Sequence, residues 1–246
     1  TREPRLGLVD HIRTCAGLSE EYGSVILLED DLAVAPGFHA WACQALTFYE
    51  GSPEVAGVSL YRYSMTEATP APFEAIDDGC DAHFIQFPSS WGQAWTAAQW
   101  RLFLEWDRCH SIEEGEALLP GYVRRWRGPS WKRRFAAYLI ATDRYFVFPP
   151  VSLSTNFGDP GTSAVTPGLY QVTLDRRRRD YRFSPLSDSR SVYDSYFELT
   201  PRCLNRWTEA LHGFRYDVDL YGVKSLEHLR EEHVLTTRPA GEPQRN

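Results

Sequence analysis

The chain has 246 residues, 43% of them hydrophobic and 24% charged, which is enough to bury one sizeable core within the range of a single α/β domain. A net charge of −7 argues against nucleic acid as the main partner, because a duplex binder needs a dominant basic face. Five dispersed cysteines without a CxxC or a framework spacing point to reduced thiols in a cytoplasmic protein rather than to disulfides or a zinc site.

In chain order, Leu8, Val9, Ile12, Cys15 and Ala16 fall at helical spacing and predict a helix over 5–18. Ser24, Val25, Ile26, Leu27 and Leu28 form a short continuous apolar run, the pattern of a buried parallel strand. The run ends in Glu29-Asp30-Asp31, and Pro36 then opens a helix over 37–49. Strand, acidic loop and helix make an α/β unit with charge at the strand's carboxyl end, where open α/β sheets place ligands.

A second strand is expected over 55–60 after the turn signal Gly51-Ser52-Pro53, and residues 68–81 read as a loop facing the active site. A third strand follows over 83–87. Residues 88–92 then lead into a helix over 96–107, and 111–120 is an acidic loop or short helix. Residues 124–134 hold Arg124, Arg125, Arg127, Lys132, Arg133 and Arg134 with no anion among them. Two readings stand: arginine forks that hold a diphosphate, or a solvated helix face.

A helix over 131–141 and a strand over 145–148 come next, then a turn-rich loop over 156–161. Beyond Gly168 the pattern is mixed, with helices expected over 200–212 and 225–232; Arg176–Arg179 reads as a surface loop and the tail 238–246 as disordered. No apolar run approaches the ~18 residues of a membrane span, so a soluble chain is expected, with peripheral attachment to a membrane left open. Aromatics make up 14% of the residues. That supply suits stacking against the apolar face of a pyranose, and an aromatic core accounts for it equally well.

Three adjacent carboxylates repel one another unless a cation sits among them. Mg²⁺ or Mn²⁺ keeps one or two carboxylates and takes phosphate oxygens for its other positions, an arrangement that nucleotide-sugar transfer needs at its diphosphate leaving group. The alternative is a solvated acidic loop, or acids favoured at a helix N-terminus.

The segment from Val25 through Glu29-Asp30-Asp31 to Phe38 resembles the core motif of GT-A-fold transferases of the N-acetylglucosaminyltransferase I type. It is more similar still to the bacterial family-2-like glycosyltransferases of surface-polysaccharide clusters. Ser90-Trp91-Gly92-Gln93-Ala94-Trp95-Thr96, the segment from Ser152 through Asn156 to Thr162, and Asp217–Gly222 resemble further motifs of that group, in the same order.

The resemblance implies a GT-A-like, Rossmann-related mixed sheet flanked by helices. It implies a sugar transferred from a nucleotide-sugar donor to a glycan or lipid-linked acceptor, with inversion, and Mn²⁺ or Mg²⁺ as cofactor. Asp31 would bind the metal, and Glu29 and Asp30 the ribose and donor sugar. Trp91, Gly92, Gln93 and Trp95 would line the sugars, and Asn156 would lie near the reacting centre. For both tryptophans a place in the core at the start of a helix is the competing reading.

The pattern departs from the family at the base. An inverting transferase needs a carboxylate within about 3 Å of the acceptor hydroxyl. Where the animal enzymes carry an acidic pair flanked by Trp, this chain has Ser130-Trp131-Lys132-Arg133-Arg134. Asp159 is the leading substitute, with a turn-forming role before Pro160 as its alternative; Asp77, Asp78 and Glu116 are weaker ones. None of the seven histidines has ligand spacing.

The family opens with about three strand-helix steps ahead of the acidic triplet, and here one helix precedes it. The expected organisation is a core over 1–170 that lacks its first strands, and an extension of the same domain over 171–237. The rival function is a non-catalytic remnant that binds carbohydrate or nucleotide sugar. A metal-dependent phosphoesterase would need further ligands that the sequence does not offer.

Overall fold

A computed structural model describes residues 7–69, 71–126, 128–157, 170–177 and 180–239. Helices α1 (Leu8–Gly17) and α2 (Ser19–Tyr22) lead into strand β1 (Ser24–Leu27), and β2 (Leu32–Val34) follows the acidic triplet. Next come α3 (Phe38–Tyr49), β3 (Val55–Ser59), β4 (His83–Ile85), β5 (Gln93–Thr96), α4 (Ala97–Cys109), α5 (Ile112–Ala117) and α6 (Gly121–Arg124). The chain continues through α7 (Trp131–Ala141), β6 (Tyr145–Phe148), β7 (Ser154–Asn156), β8 (Val192–Tyr193), α8 (Pro201–Trp207), β9 (Tyr216–Asp219) and β10 (His233–Thr236).

The fold is mixed α/β. Six strands form one sheet in the order β1-β5-β3-β6-β4-β8, with β3 and β6 parallel, β4 and β8 parallel, and the other neighbours antiparallel. Segment 171–237 contributes β8 to this sheet. Two small ladders stand apart from it, β2 against β7 and β9 against β10.

Successive strand residues point to opposite faces, so the all-apolar β6 feeds two cores at once. Phe146 and Phe148 join Ile12, Trp95, Trp100, Phe103, Phe135 and Tyr138 beneath α1, α4 and α7. Tyr145 and Val147 join Trp41, Ala45, Tyr49, Val58 and Phe84 beneath α3. Burying one aromatic of ~150–250 Å² contributes about 4–6 kcal/mol at ~25 cal/mol per Å² before the entropy of ordering it. Helix α4 is started by a reciprocal cap: Thr96 Oγ1 accepts from the Gln99 amide at 3.2 Å, and Gln99 Oε1 accepts from the Thr96 amide at 3.0 Å.

The central strand β3 needs Gly57. A Cβ there would lie 2.7 Å from the Phe146 ring and 2.7 Å from Trp95 Cδ1, both fully buried.

Several expectations are corrected. β1 is an edge strand, half-buried and antiparallel to β5, not a buried parallel strand. Its run of apolar residues reports burial of a face but not which neighbours the strand has. β5 lies inside the sheet where a loop running straight into a helix was expected, because four residues beginning with Gln carry no strand period. β7 ends on Asn156, the first residue of the expected turn-rich loop, and residues 158–161 of that loop lie outside the described residues. The helix over 200–212 stops at Trp207, and that over 225–232 shrinks to a 3-10 turn at Leu226–His228. Residues 240–246 of the expected tail lie outside the described residues. No helix of the described residues is long and apolar enough to cross a membrane.

Candidate functional site

The β2–β7 ladder brings two separate sequence motifs together. Leu32 pairs with Asn156, and the Phe157 amide donates to the Asp31 carbonyl at 2.9 Å. The Asn156 side chain, 8% exposed, donates to Asp31 Oδ2 at 2.7 Å. Asp31 Oδ1 is buried and has no hydrogen-bond partner. One carboxylate oxygen is thus held by the fold and the other is left over, an arrangement that costs free energy unless a cation or donor supplies the missing contact.

Asp30 is exposed and Glu29 is half-buried. The Glu29 carboxyl is pushed up to about 7, chiefly by burial, then by repulsion from Asp31, against a smaller pull from Lys132. Lys132 is 8% exposed and enclosed by rings: its Nζ stands 4.8 Å from the Phe87 centroid, 5.1 Å from Trp126, 5.4 Å from Trp91 and 5.6 Å from Tyr63. It donates to Tyr63 Oη at 3.1 Å and lies 3.7 Å from Glu67 Oε1. Burial pulls this ammonium below its ordinary range, with Glu67 and then Glu29 opposing.

Beside this cluster lies a cavity of about 260 Å³ bordered by Tyr61, Tyr63, Thr66, Glu67, Thr69 and Tyr170 among others. Trp91 does not border it but backs it. Its ring lies 4.6 Å from Tyr170 and 4.7 Å from Tyr61, and its carbonyl accepts from Ser154 Oγ at 2.5 Å.

Gly92, Gln93 and Trp95, the other residues expected at the sugars, are all buried. Gly92 has φ +87°, and a Cβ there would meet Leu60 at 3.1 Å and Ser154 Oγ at 3.3 Å, so it serves a backbone turn. Gln93 is fully buried, with its amide nitrogen placed to donate to the Ser89 and Ser90 carbonyls at 3.1 and 3.0 Å. Trp95 is fully buried against Trp100, Trp131 and Phe135, which removes it from any ligand wall.

Asp159 lies outside the described residues. Asp78 is consumed by the Cys80 amide, Ser189 Oγ and the Arg190 amide. Asp77 caps the Gly79 amide, and Glu116 is paired with Arg133 at 3.1 Å.

Four of the six cations of the run meet anions of the chain; Arg125 is exposed and Arg127 lies outside the described residues. Arg124 pairs with Glu227, Arg133 with Glu116, Arg134 with Asp107 at 2.6 Å, and Lys132 faces Glu67. Its anions come from other parts of the chain.

Lys132, Glu67 and Tyr170 were not picked out as site residues from sequence. For Lys132 a signal existed. It shares the i, i+3, i+4, i+7 stripe of Phe135, Ala136 and Leu139, all buried, so it sits on the apolar side of its helix. Glu67 and Tyr170 sit in irregular segments and carry no periodic signal.

No family model matches the chain, and no curated protein matches it significantly.

Proposed function

We propose that the chain is a metal-dependent glycosyltransferase of GT-A-like fold. It would move a sugar from a nucleotide-sugar donor to a glycan or lipid-linked acceptor, in the cytoplasmic steps of bacterial surface-polysaccharide synthesis. The observation that carries this reading is the unpartnered Asp31 Oδ1 at the carboxyl end of a sheet strand, with Asn156 fixing the other oxygen.

Among the described residues no group of three or more His, Cys, Asp or Glu side chains is placed to hold a metal alone. Asp31 with Glu29 and Asp30 at hand still fits Mn²⁺ or Mg²⁺, which take one or two carboxylates and fill the remaining positions with phosphate and water. When bound, the ion would offset charge on the diphosphate leaving group. The protein's own contribution is positioning. Asn156 orients Asp31, Glu29 and Asp30 offer oxygens to ribose and donor-sugar hydroxyls, and Tyr61 and Tyr170, braced by Trp91, supply ring faces for the acceptor.

A second reading, a binding-only remnant, is favoured by Lys132, which lies where the animal enzymes carry acid. Calorimetry with UDP, GDP and dTDP sugars, with and without Mn²⁺, separates the two. Metal-dependent binding with slow donor hydrolysis belongs to the enzyme, and metal-blind glycan binding to the remnant. Asp31→Asn should abolish the metal-dependent binding with an unchanged thermal midpoint; binding equal to the wild type would falsify the assignment.

A further inference from the structure

The aromatic cavity carries one carboxylate among its lining residues, and the donor site does not use it. Glu67 sits at the tip of a tied loop. The Phe73 amide donates to the Ser64 carbonyl at 2.9 Å, and the Thr66 amide to the Ala71 carbonyl at 2.9 Å. Inside the loop the Thr69 amide donates to Thr66 Oγ1 at 3.1 Å, so the turn on both sides of Glu67 is held by its own hydrogen bonds. The Glu67 side chain is 15% exposed, and its carboxylate lies 3.7 Å from an ammonium that the rings around it shield from water.

A carboxylate held by a buried lysine at the wall of a cavity lined with tyrosine has the makings of a sugar site. Ring faces take the apolar side of a pyranose, and the carboxylate accepts from hydroxyls. The volume, about 260 Å³, lies below the ~300–1,000 Å³ of pockets for drug-sized ligands and suits a single monosaccharide unit. Glu67 on the wall and Glu29-Asp30-Asp31 close by disfavour an anionic occupant.

The cavity is linked to the donor site in two ways. Lys132 interacts electrostatically with both Glu67 and Glu29. Trp91, which braces Tyr61 and Tyr170, is bonded through its carbonyl to Ser154 on β7, the strand that carries Asn156 to Asp31.

We propose that this cavity seats a neutral sugar of the acceptor and that Glu67 removes the proton from its attacking hydroxyl, a role that rests on the transferase reading above. The acceptor oxygen forms a bond to the donor's anomeric carbon while the bond from that carbon to the diphosphate oxygen breaks. The electron pair leaves with the nucleoside diphosphate, and the acceptor proton ends on the Glu67 carboxylate. Lys132 is a positioning residue: it touches no substrate and holds Glu67 in place.

The test pairs two measurements on the whole chain, using UDP, GDP and dTDP hexoses with Mn²⁺ as donors and neutral methyl hexosides as acceptors. Donor affinity is read by calorimetry, and turnover as acceptor-stimulated release of nucleoside diphosphate. Glu67→Gln should leave donor affinity within about twofold while turnover falls ~10²–10⁴-fold, the usual contribution of a general base.

Because Glu67→Gln leaves Lys132 without its counterion, the double variant Glu67→Gln/Lys132→Met serves as the folding control and should be equally inactive. Tyr170→Ala should weaken methyl hexoside binding, followed by tryptophan fluorescence, without altering donor affinity. Near-wild-type turnover in Glu67→Gln, or equal losses of donor affinity and turnover, overturns the base role alone. A wild-type chain that binds none of the donors overturns the transferase reading and the base role with it, and the fluorescence titration then shows on its own whether the cavity takes sugar.

Discussion

Replacing His83 by leucine isolates the cost of one buried polar ring. His83 is 2% exposed and stacks on Phe148 at 5.6 Å, and neither ring nitrogen has a hydrogen-bond partner. Burial, reinforced by Arg62, pulls its pKa from 6.5 to about 3. A histidine with a folded value below its unfolded one binds fewer protons when folded, so its contribution to stability is complete above about pH 6.5. That contribution is lost progressively as pH falls towards about 3. Between pH 7 and pH 5 the linkage amounts to about 2 kcal/mol from this group. Leucine has similar volume and nothing to titrate. At pH 7 the loss of ring contacts and the removal of two unsatisfied nitrogens offset one another to within ~1.5 kcal/mol. Urea unfolding of both proteins at pH 7 and pH 5 gives the quantity of interest. All other titrating groups are shared, so the wild type should lose about 2 kcal/mol more than His83→Leu over that interval. Equal losses in the two proteins, or an NMR titration of His83 with a midpoint near its unfolded value, would refute the reasoning.

Gly57→Ala should destabilise by at least ~1–3 kcal/mol, since the new methyl meets Phe146 and Trp95 in a packed core; a chemical-denaturation midpoint equal to the wild type would show that these rings give way freely. Lys132→Met should cost about 3 kcal/mol by leaving Glu67 partly buried without its cation, and adding Glu67→Gln should recover part of that loss. A Lys132→Met loss below ~1 kcal/mol in urea unfolding would mean that Glu67 swings out to water instead.

The elements that were legible in sequence are those whose information is local. α7 and β6 fall on the boundaries read from spacing and from the Pro149-Pro150 stop, and α3 begins one residue inside its expected start. The acidic triplet was visible because three carboxylates at a strand end are chemically conspicuous. Its surroundings were not. That Asp31 meets Asn156 depends on a ladder between residues more than a hundred positions apart, and β7 is too short to announce itself. The two tryptophans of one motif show the same limit. Trp91 and Trp95 are four residues apart and chemically identical, yet one braces the cavity and the other fills the core. The pairing of Arg124, Lys132, Arg133 and Arg134 was hidden for a related reason: their anions, Glu227, Glu67, Glu116 and Asp107, come from separate segments.

The chain's order of residues therefore determined by itself where α3 and α7 start and stop to within a residue, which stretches are apolar, and that acid follows the first strand. These follow from caps, turn residues and side-chain spacing, which act within a few positions. Only the tertiary structure decided that β1 takes an edge, that β5 inserts inside the sheet, and that Lys132 is buried against Glu67. Each of these depends on the free energy of contacts between distant segments, and no local preference carries that information.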